Sequence, residues 1–231
     1  MDAFLRDALA DLLAARSLAS LRSSPSGSPA VRGPSEGSGP AASSTVLALA
    51  ELDDKVPSLV AHWRLVQKWG ARINLTSVDA DEEAAWVHYR DSLEVLCWWQ
   101  GGSLVDIGSG AGFPGVPLAI ARPEAPVTLL EPRRKRASFL EVVRAELGLR
   151  NLTVICGRVE DAPPALFQTA VSRATFSDEA DLRRCLKWVA PAGSLIAMRA
   201  GAPMRRDNEL HGYDLRGATR LLERWRPAQL P

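Results

Sequence analysis

An acidic residue two positions before a glycine-rich loop is the first feature of this sequence that could do chemistry. Residues 105–116 read VDIGSGAGFPGV, so Asp106 lies in a short apolar stretch and Gly108, Gly110 and Gly112 follow it. In open α/β sheets, ligands bind where the parallel strands end. Glycines let the backbone approach a ligand closely, because they carry no Cβ. The stretch therefore predicts a ligand site at the end of a strand.

A dinucleotide is one candidate ligand for this loop. Gly110, Gly112 and Gly115 match the spacing of a dinucleotide-binding fingerprint. Glu131 follows about twenty residues later, as that fingerprint requires. The sequence thus permits a dinucleotide oxidoreductase on spacing alone.

Three features oppose a dinucleotide and favour S-adenosylmethionine. Gly108 adds an earlier glycine, and Phe113 and Pro114 stand where helix amides would hold a pyrophosphate. Asp106 would also add negative charge close to two phosphates. S-adenosylmethionine carries a sulfonium and an ammonium group instead. A carboxylate beside the loop can hold its amino-acid end, directly or through water. The alternative is that Asp106 bonds neighbouring backbone amides and that the glycines form an ordinary tight turn.

Two later positions are candidates for the nucleoside half of the same cofactor. Glu131 ends the second predicted strand, where a carboxylate can accept hydrogen bonds from both ribose hydroxyls. The alternative is a surface acid that pairs with Arg133 or Arg134. Val159 and Glu160 follow the third strand and would flank the adenine, and the alternative there is a plain surface loop.

Alternating strands and helices position these residues. Strands are predicted at residues 103–107, 127–131, 152–156, 169–173 and 194–199. Helices are predicted between them at residues 117–121, 133–149 and 178–190. This alternation implies right-handed crossovers and an α/β fold with a mostly parallel sheet and helices on both faces. A hairpin around Arg216-Gly217 is predicted in the tail.

The chain divides into three parts. Residues 1–22 are predicted as an amphipathic N-terminal helix, and residues 23–44 as a flexible linker of Ser, Gly, Pro and Ala that buries too little apolar area to fold. Residues 45–231 form the main domain. It comprises a helical lead-in at 45–100, a cofactor-binding core at 103–199 and a short basic C-terminal segment at 200–231.

The helical lead-in is predicted as two helical stretches. The first helical stretch runs from Thr45 towards Trp69, and Pro57 either breaks it into two pieces or starts its second helix. The second stretch covers residues 81–99, and a polar loop at residues 72–77 lies between the two.

Bulk properties limit the remaining possibilities. The net charge is +1, so a nucleic-acid surface must be a local patch. The patch candidate is the run Arg133, Arg134, Lys135 and Arg136, whose alternative role is a solvated helix face. Three distant cysteines suit a reducing cytosol, and their spacing indicates no zinc site. We expect a cytoplasmic monomer with no bound metal, no signal peptide and no membrane span.

The motifs together resemble one bacterial family, the small-subunit ribosomal RNA methyltransferase G family, also called glucose-inhibited division protein B. The matching pieces, spread over about residues 63–200, are NLTS at 74–77, His88 with DS at 91–92, the glycine motif at 105–120, LLE…KR at 129–136, RVE at 158–160 and SRA at 172–174. The resemblance implies a Rossmann-like methyltransferase fold. It also implies transfer of a methyl group from S-adenosylmethionine to N7 of a guanine in 16S rRNA, in the small ribosomal subunit or its precursor.

The resemblance also implies roles for individual residues. Cofactor contacts are implied at Gly108, Phe113, Val159 and Glu160, and Arg173 would face both the cofactor and the active site. The residues that would line the side where the guanine enters are Asn74, Thr76, Ser77 and His88. Of these, Asn74 and His88 join Arg173 as the predicted catalytic residues. Without the family, His88 is simply a helix histidine capped by a neighbour.

Some residues depart from the family pattern. Gln168 stands where the family has an acid, Pro132 replaces a small polar residue, and the segment after Arg199 is short. The sequence therefore leaves two alternatives open. One is a methyltransferase with another substrate, and the other is a cofactor-binding or RNA-binding protein without turnover. Candidates for stacking on the target base are Phe113, Trp86 and Tyr89.

Overall fold

The protein is built around one twisted sheet with the strand order β3-β2-β1-β4-β5-β7-β6. The computed structural model describes residues 1–11, 52–161, 163, 165–173, 178–205 and 207–227. The strands are β1 (Leu104–Ile107), β2 (Val127–Leu130), β3 (Leu152–Ile155), β4 (Phe167–Arg173), β5 (Val189–Ala200), β6 (Glu209–Leu215) and β7 (Ala218–Trp225). Strands β1 to β5 pair in parallel, whereas β7 pairs antiparallel to both β5 and β6. The predicted α/β fold with a mostly parallel sheet is confirmed.

Helices cover both faces of the sheet. They are α1 (residues 2–11), α2 (Val56–Ile73), α3 (residues 81–97, with a π-helical turn at Ala85–Arg90 and a 3₁₀ end at Glu94–Cys97), α4 (Gly115–Ala121), α5 (Arg134–Glu146) and α6 (Glu179–Cys185). Alternate residues of a strand point to opposite faces. Leu104 therefore joins the larger apolar cluster, with helices α1 to α5, while Val105 joins the smaller one, with α6.

The helical lead-in differs from the prediction at the end of its first helix. Pro57 lies in the first turn of α2, where a missing N–H costs nothing. The helix continues through Arg72 and Ile73 and ends only at Asn74, whose φ of 49° is left-handed. The predicted loop at 72–77 therefore begins two residues too early, since half-buried Ile73 still packs against the larger cluster. The predicted helix between Thr45 and Glu51 lies outside the described residues.

The C-terminal segment completes the sheet despite its shortness. Arg216 and Gly217 form the turn of the predicted hairpin, with φ values of 54° and 83°. Strand β7 pairs along β5 from Leu195↔Trp225 to Ala200↔Arg220. The predicted hairpin is confirmed, and it places Arg220 next to the end of the parallel sheet.

Three other element boundaries were predicted imperfectly. The predicted helix at 178–190 ends at Cys185, a 3₁₀ turn follows, and β5 begins at Val189 instead of residue 194. Strand β4 starts at Phe167 instead of residue 169, because Phe167 pairs with Val189. Pairing between strands thus extended both elements beyond their apolar stretches.

The N-terminal helix is described only for its first eleven residues. Leu5 and Ala8 are fully buried, and the amino group of Met1 lies 3.0 Å from the Asp81 carboxylate. The rest of the predicted helix at 1–22 and the linker at 23–44 lie outside the described residues. Within the described part of the chain, no helix has the length and apolar character needed to cross a bilayer.

Candidate active site

Asp106 stabilises the glycine loop that follows β1. Oδ2 of Asp106 accepts a hydrogen bond from the backbone N–H of Gly115 at 2.9 Å, in the first turn of α4. The other oxygen, Oδ1, is buried and has no hydrogen-bond partner of normal geometry in the described structure. Asp106 is 0% exposed, so its carboxylate stabilises the conformation of the loop and does not line a cavity.

The environment of Asp106 makes its carboxyl group hard to ionise. Burial raises its pKa from 3.8 to about 7, although the Gly115 N–H, the positive charge of Arg173 and the nearby Ser109 hydroxyl partly oppose that effect. A neutral carboxylic acid needs less solvation than a carboxylate in an apolar site. The acid beside the loop is therefore poised to change charge near neutral pH.

Glu131 stabilises the same loop from the next strand. Its Oε2 accepts from the N–H of Gly110 and its Oε1 from the N–H of Arg133, both at 2.8 Å. The side chain is buried, and its partners are backbone amides, not the Arg133 or Arg134 guanidinium groups of the sequence alternative. A contact between Glu131 and a ribose stays a prediction, and it requires these oxygens to accept a further hydrogen bond.

A cavity of about 470 Å³ opens above the carboxyl ends of β1 and β4. It brings together six of the predicted residues: Thr76, His88, Gly108, Gly110, Phe113 and Arg173. Asp106 and Gly112 do not line it. Gly112 is needed for packing, since a Cβ there would lie 2.6 Å from Val116.

Arg173 is held in this cavity by groups from α3. Its Nη1 donates to the carbonyl of Val87 at 2.9 Å and lies 3.4 Å from Oδ2 of Asp91. Its guanidinium carbon is 5.3 Å from the centre of the Phe113 ring. Asp91 is fixed in turn by the Tyr213 hydroxyl at 2.7 Å. The end of β4 therefore carries an oriented cation.

His88 lies between Arg173, Phe113 and Thr76. Its ring stacks on Phe113 with centroids 4.5 Å apart and planes 17° apart. Nδ1 faces Nη2 of Arg173 at 3.4 Å, and Nε2 lies 2.8 Å from Oγ1 of Thr76. Because a guanidinium only donates, the network assigns the proton to Nε2. Burial first, and then Arg173, lower the pKa of His88 to about 3, so the ring is neutral at pH 7.

A second cavity of about 340 Å³ adjoins the first, and Gly108 lines both. Its wall includes Ile107 and Leu130, and it contains the predicted pair Val159 and Glu160. The Val159 carbonyl accepts from Nε1 of Trp188 at 3.0 Å, which fixes the loop after β3. We refer to these two adjoining cavities at the carboxyl ends of β1, β2 and β4 as the groove.

Some predicted site residues are not brought into the groove. Asn74 is exposed and lines neither cavity, and its carbonyl accepts from Nη2 of Arg136 at 2.9 Å. Tyr89 is 0% exposed and bonded to His62, so the prediction that it could stack on a base is wrong. In the predicted basic run, Arg133, Arg134 and Lys135 are exposed, and Arg133 lines the second cavity.

Sequence reasoning missed several residues of the site. His62 is fully buried and bonds the carbonyl of Ala111 in the glycine loop at 3.0 Å. Asp91, Arg199 and Arg220 line the first cavity. In the sequence, Asp91 had a signal as part of the DS motif, and Arg220 as part of the basic C-terminal segment. Arg199 and Arg220 come together through the pairing of β5 with β7, which no local pattern reveals.

Comparisons with known proteins identify relatives of this chain. A family model described as GidB, rRNA small subunit methyltransferase G, matches residues 55–211. The chain is 41% identical over 155 residues to the ribosomal RNA small subunit methyltransferase G of Methylobacillus flagellatus, covering 67% of this chain and 74% of that protein. It is 40% identical over 156 residues to the protein of the same name from Nitrosococcus oceani, covering 66% and 72%.

A solved structure supports the fold. The S-adenosylmethionine-dependent methyltransferase SibL, in its apo form, superposes with a TM-score of 0.51 at 19% identity, covering 79% of this chain and 73% of that one. At this identity the likeness concerns the fold alone.

Proposed function

The chain belongs to the GidB family of rRNA small subunit methyltransferase G proteins, and on that premise we propose that it transfers a methyl group from S-adenosylmethionine to N7 of a guanine in 16S rRNA. The observation that carries the proposal is the group of Arg173, His88 and Phe113, which lies beside the glycine loop in the first cavity. The substrate would be the small ribosomal subunit or its precursor, and the protein would act as a monomer in the cytoplasm.

The linings of the two cavities suit the two ends of S-adenosylmethionine. The second cavity offers the apolar wall that an adenine needs, formed by Ile107, Leu130 and Val159, with Glu160 at its edge. The first cavity offers the backbone of Gly108 and Gly110 for the amino-acid end. The cofactor would supply an electrophilic methyl group on a positively charged sulfur. S-adenosylmethionine has no pyrophosphate, so its binding does not need free amide groups at the start of a helix.

Asp106 supports cofactor binding through the loop that it holds. Its hydrogen bond to Gly115 fixes the start of α4 and so the course of the glycine loop. A cationic ligand above the loop favours the ionised form of this buried acid. Glu131 contributes in the same way through the amide of Gly110, and it lies at the end of β2, where a ribose would pass.

Methylation at N7 of guanine needs no catalytic base. The N7 lone pair lies free in the plane of the ring, so the reaction is an in-line displacement that depends on alignment. The neutral, fully engaged His88 suits this chemistry, because both its nitrogens already hold partners and its pKa is about 3. Arg173 would donate a hydrogen bond to O6 of the guanine, since arginine reads this edge of the base well.

The electrostatics of the cavity favour a polyanionic substrate. Arg173, Arg199 and Arg220 line it, and Asp91 is the one acid among its described lining residues. The basic run at residues 133–136 begins beside the second cavity. Contacts of this kind with phosphate groups make binding sensitive to salt. Phe113 lines the cavity, but it is 4% exposed and the His88 ring stacks on it, so it offers little surface to a base.

Gln168, which replaces an acid of the family pattern, lies away from this site. Gln168 bonds Ser103 with both its backbone N–H and its side-chain oxygen, at 3.1 Å each. These contacts lie at the amino end of β4, whereas Arg173 lies at the carboxyl end. The geometry therefore favours the methyltransferase over a binding protein without turnover.

The proposal is tested by methyl transfer to small ribosomal subunits that lack the modification. Labelled S-adenosylmethionine would report transfer, and mass spectrometry of the released nucleosides would identify 7-methylguanosine. We expect the wild type to transfer one methyl group per subunit, and Arg173→Ala to lose transfer. Arg144→Ala is the matched control, because Arg144 is an exposed arginine that pairs with Glu141 on α5.

Three outcomes would contradict the proposal, each in its own way. Methylation of another atom or another RNA would establish a different substrate. Tight binding of S-adenosylmethionine without transfer to any subunit or precursor would establish a binding protein. Tight binding of NADH in place of S-adenosylmethionine, measured by calorimetry, would establish a dinucleotide site.

A further inference from the structure

Three side chains with metal-binding atoms converge outside the methyl-transfer cavity. A carboxylate oxygen of Glu94, the sulfur of Cys97 and a ring nitrogen of His211 all lie within 4.8 Å of one another. Glu94 and Cys97 are one turn apart at the end of α3, and His211 lies on β6. We propose that these three residues bind a divalent transition-metal ion such as Zn²⁺, which joins α3 to the C-terminal hairpin.

The distances between the three ligand atoms suit a small ion. Zn²⁺ binds nitrogen and oxygen at about 2.0–2.2 Å and sulfur at about 2.3 Å, so tetrahedral ligands lie about 3.3–3.7 Å apart. Oε1 of Glu94 is now 2.7 Å from Nε2 of His211, with a proton between them. The two distances to the Cys97 sulfur are at most 4.8 Å, so an ion that replaced this proton would require movements of about 1 Å, which side-chain torsions can supply.

Surrounding groups orient two of the ligands. Oε2 of Glu94 accepts a hydrogen bond from Nη1 of Arg90, which leaves Oε1 directed at His211. The His211 ring is stacked on Tyr213 with centroids 6.0 Å apart and meets the edge of Trp98, also at 6.0 Å. Partners that fix the orientation of a ligand strengthen metal binding.

The set of donors selects the class of ion. A thiol and an imidazole together favour zinc-like ions over Mg²⁺ and Ca²⁺, which take oxygen ligands. The Glu94 side chain is 3% exposed, whereas the His211 side chain is 33% exposed, so an ion can enter from solvent at the histidine. Three protein ligands leave a fourth position for water on this open side.

Protons compete with the ion for the same atoms. Hydrogen bonds to Cys97 and Glu94 raise the pKa of His211 to about 10, so the ring is protonated at neutral pH. An ion must displace this proton to bind the ring nitrogen.

The test is titration of the EDTA-treated full-length chain with Co²⁺ and Zn²⁺. We expect one Co²⁺ per chain, with the near-ultraviolet absorption of a cobalt–thiolate bond, and full displacement of Co²⁺ by Zn²⁺. Calorimetry in two buffers of different ionisation enthalpy should show proton release on Zn²⁺ binding. Zn²⁺ should also raise the melting temperature, because the ion binds the folded chain only.

Two variants and one control decide the assignment. Cys97→Ser should abolish the thiolate band, and His211→Gln should weaken Zn²⁺ binding by at least about tenfold. Cys156→Ser, which changes an exposed cysteine, should leave both unchanged. Circular dichroism would confirm that each variant is folded. The proposal is overturned if the wild type shows no saturable one-to-one binding, or if both variants bind as the wild type does. None of these readouts depends on methyl transfer.

Discussion

The buried Asp106 should make the stability of this protein depend on pH in a way that one substitution removes. The pKa of its carboxyl group is about 7 in the folded chain and 3.8 without the fold, and the side chain is 0% exposed. Each pKa unit is worth about 1.4 kcal/mol, so the difference between 3.8 and about 7 corresponds to about 4 kcal/mol. This is the cost of ionising Asp106 under the glycine loop at high pH.

The sign follows from proton binding. Between pH 4 and pH 7 the folded chain holds the Asp106 proton and the unfolded chain does not, so the free energy of unfolding falls as the pH rises. The contribution of Asp106 is fully present below about pH 4 and is lost through pH 7. About 2–3 kcal/mol of the loss should develop between pH 5 and pH 8.

Asp106→Asn isolates this contribution. The amide has the same shape, its oxygen can accept from Gly115 as Oδ2 does, and it does not titrate. The free energy of unfolding of the variant, minus that of the wild type, should increase by about 2–3 kcal/mol from pH 5 to pH 8. Buried His62 and His88 titrate in both proteins, so their opposing contributions cancel in the difference.

Urea unfolding at pH 5, 6, 7 and 8 measures this difference. Asp79→Asn is the matched control, because Asp79 is an exposed carboxylate, and its difference from the wild type should stay flat. S-adenosylmethionine should bind the wild type more tightly as the pH rises through 7, and Asp106→Asn should lack that trend. Parallel pH curves for the wild type and Asp106→Asn would refute the reasoning about Asp106.

Three further results are expected. Gly115→Ala should lower the free energy of unfolding in urea by about 1–3 kcal/mol, because its Cβ would lie 2.2 Å from Leu129. The same variant should abolish cofactor binding in calorimetry. Gly70→Ala, at an open helix position, should instead stabilise the chain by about 0.5–1 kcal/mol. Gln168→Ala should leave the methyl-transfer kcat unchanged, since the residue lies at the opposite end of β4, and a large loss would contradict that placement. The rate of methyl transfer should show no titration of His88 between pH 6 and pH 8, because its pKa is about 3, and a His88-dependent inflection in that range would disprove its neutral role.

Much of the fold was predictable because its signals are local. The apolar stretches at β1, β2 and β3 are short and are bounded by glycine, proline or charged residues, so periodicity placed them within one residue. The left-handed turn at Gly217 was predictable because glycine adopts that conformation freely. The start of β5 was not, since it depends on pairing with β4.

The sequence by itself determined which residues stand at the ends of the strands. The order of strands, helices and glycines put Asp106, Glu131 and Arg173 at the same edge of a parallel sheet, because parallel strands end on one side. It also determined the family, through motifs that follow one another along the chain.

Only the tertiary structure decided where those side chains point and which others they meet. Asp106 turns under the loop towards Gly115, and Arg173 meets Asp91 across 82 residues of chain. His211 bonds Glu94, which is 117 residues away in the sequence, and the spacing of cysteines and histidines does not predict this contact. The contacts of Arg173 and His211 arise because α3 packs against the carboxyl end of β4 and against β6. Their geometry depends on the packing of whole elements, and a local sequence pattern carries no information about that packing.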